Sequence, residues 1–124
     1  MISGDGTVYE GRNLDYMGAH AYHENDGNIG IALMGNFEKN SPLLQKIKDS
    51  IQGARYTQPT NVQVSNARLM LKFLNDAYEL STVGGHRNYA KGYKTQCPGD
   101  RLQQILSPSY KNIYLISSKR GLKK

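Results

Sequence analysis

The sequence predicts an α/β fold on three observations: a hairpin signature at the start, an apolar run flanked by turn-forming residues, and three downstream segments with apolar residues at helical spacing. Ile2-Ser3 and Thr7-Val8-Tyr9 flank Gly4-Asp5-Gly6, whose glycines suit the positive φ of a tight turn. The run Asn28-Ile29-Gly30-Ile31-Ala32-Leu33-Met34-Gly35 is apolar on both alternating faces, which predicts a central strand covered on both sides. Its two glycines predict close approach by another element.

The helices follow. Segment 41–51 places Leu43, Leu44, Ile47 and Ile51 at helical spacing behind Ser41-Pro42, a capping residue and a first-turn proline, and Gly53 ends it. Segment 60–80 carries the clearest stripe, Ala67, Met70, Leu71, Leu74, Ala77 and Tyr78, whose task is packing. Thr82-Val83-Gly84-Gly85 reads as a short strand or turn that delivers His86. A last helix after Asp100 buries Leu102, Ile105 and Leu106 and ends before Pro108.

At 124 residues, with 38% hydrophobic and 21% charged, the chain has material for one folded domain, assigned to 1–110, with a basic tail at 111–124. The net charge of +6 and pI near 9.5 suit any polyanion without choosing among them. No aromatic residues are interleaved with a basic stripe, so no nucleic-acid partner is expected. No apolar stretch of about 18 residues exists to span a membrane, and Met1 is followed by Ile2-Ser3-Gly4 rather than by a signal peptide. A monomer is expected.

A single cysteine excludes an internal disulfide, so Cys97 is a buried thiol, a nucleophile or a metal ligand. His86 stands eleven positions before it, across a Gly/Lys/Tyr loop able to fold back and bring both side chains to one point. Imidazole and thiolate are ligands that zinc prefers, and a catalytic zinc takes three protein ligands plus water. The competing reading is a buried thiol and a surface histidine. Nothing local marks a cysteine peptidase.

Gly4-Asp5-Gly6-Thr7-Val8-Tyr9-Glu10-Gly11-Arg12, Gly18-Ala19-His20-Ala21, Asn25, Asn28-Ile29-Gly30-Ile31, Gly35-Asn36-Phe37, Gly85-His86-Arg87 and Thr95-Gln96-Cys97-Pro98-Gly99-Asp100 occur in an order and spacing that resemble the type 2 N-acetylmuramoyl-L-alanine amidase and peptidoglycan-recognition protein family. Each piece alone is a weak motif; in register they cover most of the chain. The resemblance implies a mixed central sheet flanked by helices, with zinc at one end of a groove for peptidoglycan or muropeptides. It implies hydrolysis of the amide between N-acetylmuramic acid and L-alanine, with His86 and Cys97 as metal ligands and Thr95 as a polar catalytic residue that donates to the developing oxyanion. His20, Asn25 and Arg87 fall along the substrate groove. For Arg87 and Arg12, bracing the sheet is the alternative to meeting stem-peptide carboxylates. The substrate implies a location outside the cell or in its envelope.

The sequence also departs from the family pattern. The first zinc histidine and a catalytic tyrosine, expected upstream of the hairpin, have no counterpart, so the first strand and helix are expected to be missing and the chain to start partway through a domain. A non-catalytic binding module or an inactive fragment is therefore the alternative to an active zinc amidase. His20 is the candidate substitute for the absent ligand. Arg12-Asn13-Leu14 stands where many recognition proteins continue with Gly-Trp, and the length of 40–59 points toward a bacterial or phage-like protein.

Overall fold

A computed structural model describes residues 1–39 and 57–106. The segment 41–51 assigned to a helix, and the tail 111–124, lie outside the described residues.

The chain opens as the hairpin its glycines predict. Ile2 bridges Val8 in antiparallel fashion, Tyr9 N–H donates to Met1 O at 2.7 Å, and Ser3 N–H donates to Thr7 O at 2.9 Å. Of the two glycines of this turn, Gly6 takes a positive φ, +90°. Asp5 closes the turn by accepting from Thr7 N–H at 2.9 Å and from the Ser3 hydroxyl, and these bonds hold its carboxyl down at about 2.

Ile2 is also bridged in parallel to Leu33: its N–H donates to Ala32 O at 2.8 Å and its C=O accepts from Met34 N–H at 2.9 Å. One residue thus joins an antiparallel and a parallel neighbour, the pairing of a mixed sheet, and its side chain is fully buried. Pairing among the described residues is confined to these two bridges. The 28–35 run departs from expectation, because among the described residues one of its faces is more covered than the other. Ile29, Ile31 and Leu33 are partly buried, whereas Gly30, Ala32 and Met34 are exposed. On that second face the His20 ring lies over Gly30.

The helix α1 (Asn61–Tyr78) begins where its sequence says it should. Thr60 and Gln63 form a capping box: the Thr60 hydroxyl accepts from Gln63 N–H, and Gln63 Oε1 accepts from Thr60 N–H at 3.0 Å. The same hydroxyl donates to Gly4 O at 2.8 Å, and Asn66 Nδ2 donates to Gly6 O at 2.7 Å, so the helix start grips the hairpin. Gln63 is fully buried, with Nε2 donating to Ile2 O at 3.2 Å and to Met34 O at 3.0 Å. One amide therefore ties the helix to both neighbouring extended segments. Leu74 is the most buried apolar residue of the stripe, Ala67, Met70, Leu71 and Tyr78 are half-buried, and Ala77, on the flank, is exposed. Glu79 ends the helix in the left-handed region.

Two shorter helices complete the description. Thr82-Val83-Gly84-Gly85, expected as a short strand or turn, is neither and leads into His86, which opens the one-turn helix α2 (His86–Tyr89); α3 (Asp100–Leu106) buries Leu102 with Ile105 and Leu106 half-buried. Phe37 joins the core, and Phe37 O accepts from Arg101 N–H at 3.1 Å, anchoring the start of α3 beside the end of the 28–37 segment.

Candidate active site

The predicted fold-back of the loop after His86 is present. Arg87 N–H donates to Cys97 O at 3.1 Å, which brings the first turn of α2 alongside the strap 95–99. His86 and Cys97 consequently line one cleft of about 360 Å³, with Glu24, Asn28 and Tyr89 also on its wall. The thiol is solvent-accessible and free; partial burial pushes it up from its ordinary value, with the Arg87 charge acting in the opposite direction.

Thr95 sits at the head of the strap, where its hydroxyl oxygen accepts from Cys97 N–H at 3.1 Å. That bond leaves the hydroxyl proton available to a ligand. The strap then turns at Gly99, whose φ is +88° and whose N–H donates to Gln96 O at 2.7 Å. A Cβ on Gly99 would lie 2.5 Å from the Phe37 carbonyl carbon, so only glycine lets the strap pass this close to the 28–37 segment.

Arg87 binds the strap from the other side. Its guanidinium pairs with Asp100 at 3.0 Å, donates to Gln96 O, and lies 3.9 Å from Glu38. Arg87 in turn holds the Asp100 carboxyl below its usual range. With these groups engaged, the bracing role describes Arg87 better than capture of a substrate carboxylate. Arg12 is likewise turned inward on its own loop, donating to Met17 O at 2.7 Å.

His20 and Asn25 border a second, larger hollow of about 950 Å³, which meets the first along Asp26–Ile29. His20 and Asn25 thus border one hollow and His86 and Cys97 the other, while Arg87 lines neither of the two. Asn25 Oδ1 accepts from the N–H groups of His20 and Ala21, both at 2.8 Å, so this asparagine shapes the loop that carries His20. The His20 ring lies over Gly30, where a Cβ would come within 2.7 Å of it, giving the close approach that the glycine predicted. Burial lowers the His20 pKa, and the charge of His86 lowers it further.

Sequence reasoning missed Tyr93. Its hydroxyl lies 2.7 Å from His86 Nε2, with the rings edge to face at 5.9 Å. Tyrosine was visible in the loop, but nothing local said which residue would return to His86.

A zinc ion needs a converging donor set, and of the expected ligands His86 and Cys97 line the same cleft. No group of three His, Cys, Asp or Glu side chains able to hold a metal occurs among the described residues. His86 Nε2 is moreover already in a hydrogen bond. The described residues therefore do not by themselves fit a catalytic zinc, which requires three protein ligands.

The sequence profile described as N-acetylmuramoyl-L-alanine amidase matches residues 1–100. The chain belongs to that family. Among relatives of the amidase family, Peptidoglycan-recognition protein SC2 of Drosophila simulans is 51% identical over 108 residues, covering 82% of this chain and 46% of that protein. Peptidoglycan-recognition protein SD of Drosophila simulans is 35% identical over 106 residues, covering 86% and 48% respectively. N-acetylmuramoyl-L-alanine amidase of Sus scrofa is 29% identical over 109 residues, 86% of this chain and 15% of that protein. The chain spans about half the length of the recognition-protein relatives it matches. These relatives are animal proteins, against the bacterial or phage-like comparison drawn from the length of 40–59. No solved structure matches the chain.

Proposed function

We propose that this amidase-family chain binds peptidoglycan fragments across its two adjoining hollows, presenting the amide between N-acetylmuramic acid and L-alanine to the cleft lined by His86 and Cys97, with Thr95 at the head of the neighbouring strap. The observation that carries the reading is the approach of α2 to the strap, fixed by the Arg87-to-Cys97 backbone bond, which puts His86 and Cys97 on one wall. In this reading His20 and Asn25 contact the glycan or stem peptide in the larger hollow, and the free proton of Thr95 is directed at the carbonyl oxygen of the amide. Arg87 holds the strap in place.

Zinc in such a cleft would supply water activated near neutral pH and a polarised carbonyl. That no three metal donors come together among the described residues favours a second reading, recognition without hydrolysis. The relatives' printed names, one set for recognition and one for the amidase, support both readings. Binding to peptidoglycan would place the protein outside the cell or in its envelope.

Calorimetric titration with an N-acetylmuramoyl peptide, and mass spectrometry of the same mixture with zinc added or chelated, tests the proposal. Binding with zinc-dependent release of stem peptide supports the amidase; binding with no release supports recognition alone. Absence of binding under both conditions refutes the proposal.

A further inference from the structure

Two loops meet beside the cleft of His86 and Cys97 and leave between them an open hollow of about 450 Å³, lined by Tyr22 and His23 from one loop and by Lys91, Gly92 and Tyr93 from the other. Both walls are held by the chain's own bonds. Behind Tyr22, Ala21 is buried, and Asn25 Oδ1 accepts from the N–H groups of His20 and Ala21; Glu24 N–H donates to Ala21 O at 2.9 Å, and Glu24 O accepts from Asn28 Nδ2 at 3.0 Å. This turn sets His23 in the left-handed region, φ +62°, with its ring centroid 3.9 Å from that of Tyr22. On the facing loop Gly92 reverses the chain at φ +76°, and the Tyr93 hydroxyl lies 2.7 Å from His86 Nε2. An ion pair between Lys91 and Glu24 joins the two loops. Glu24 and His86 belong to the wall of the first cleft, Lys91 and Tyr93 to this hollow, so the two spaces share these contacts as their boundary.

The lining selects a kind of ligand. Three of its five residues are aromatic, and Tyr22 leaves 68% of its surface in solvent with a second ring already packed beside it. Lys91 is the one lysine or arginine of this lining among the described residues, and Glu24 answers its charge, so an anion finds no free cation there. What remains is apolar ring surface with hydrogen-bonding groups at its edge, the Tyr22 hydroxyl and the ammonium protons of Lys91 that Glu24 does not take. A neutral pyranose has the matching chemistry, because its C–H face packs on aromatic rings while its hydroxyl groups stay at the rim.

We propose that the hollow between residues 22–23 and 91–93 is a saccharide subsite, taking a neutral sugar of a glycan chain against Tyr22 beside the cleft. It deepens the function proposed above and rests on that reading for the identity of the glycan. Because both loops are already fixed, little ordering is needed when the sugar binds.

Amide ¹H–¹⁵N spectra of the full chain titrated with chitotriose, a neutral oligosaccharide of N-acetylglucosamine, test the inference in the wild type, Tyr22→Ala and Tyr22→Phe. Binding at millimolar sugar should shift the amides of 22–24 and 91–93 more than those bordering the two larger hollows. Tyr22→Ala should weaken binding roughly two- to tenfold, the worth of one aromatic contact, and Tyr22→Phe should keep most of the affinity because the ring surface is retained. Absence of binding overturns the proposal, as do shifts that leave both loops unmoved, equal affinity in Tyr22→Ala, and a sugar-free stem peptide that moves the same amides as strongly. The N-acetylmuramoyl peptide titration reports separately on the function proposed above. If the muropeptide binds and chitotriose does not, the subsite falls and that function stands; chitotriose binding at the loops without muropeptide binding means the reverse.

Discussion

Replacing Gln63 by leucine should cost far more than its place on a surface helix implies. The side chain is fully buried and makes three bonds through its amide: Nε2 to Ile2 O, Nε2 to Met34 O, and Oε1 from Thr60 N–H. Leucine has similar bulk and none of these. Ile2 O keeps its bond from Met34 N–H, so the groups left without Gln63 are Met34 O and Thr60 N–H. Stranding a buried polar group costs about 1–3 kcal/mol, and a better apolar fit recovers part of it, for a net loss of about 2–4 kcal/mol. With a urea slope of about 1–2 kcal/mol/M for a domain of this size, the midpoint should fall by about 2 M with the slope unchanged. Circular dichroism at the helix band, followed through the urea transition, measures it. Gln63→Glu should be worse still, because a carboxylate cannot donate to either carbonyl and is itself desolvated. A loss under about 0.5 kcal/mol in Gln63→Leu would refute the argument that this amide joins the helix to both extended segments.

Two further outcomes follow from the site. Gly99→Ala should destabilise the protein by about 1–3 kcal/mol, since φ of +88° disfavours any side chain and the new methyl meets backbone at Phe37; thermal melting checks it, and an unchanged midpoint would mean the strap shifts freely. The His20 pKa lies below that of the unfolded chain, so the unfolded state takes up the proton first and stability falls as the pH drops through the window just under 6.5. Urea midpoints at pH 7.5 and 5.5 should therefore differ more in the wild type than in His20→Gln, and identical pH dependence in both would show that His20 is not the titrating group.

Much of the fold was written locally. The α1 helix could be placed within two residues because its signal, the apolar spacing through Leu74, involves neighbours in the chain, whereas the Thr60–Gln63 capping box came from the structure. The hairpin around Gly4-Asp5-Gly6 was legible for the same reason, and the loop after His86 could be seen to allow the fold-back that sets Arg87 N–H against Cys97 O. Gln63 was not legible as a core residue. Its partners stand 61 and 29 positions away, and no local pattern encodes them.

The site divides along the same line. Residue types and spacing alone determined the family, the candidate residues and the chemistry to which imidazole and thiolate lend themselves. Only tertiary structure decided that Arg87 braces the strap, that Asn25 caps the His20 loop, that His20 faces a different hollow from Cys97, and that Tyr93 holds His86 Nε2. The physical reason is that a side chain's chemical capacity belongs to the residue, whereas which of its hydrogen bonds are already made depends on which distant atoms the fold sets within about 3 Å of it.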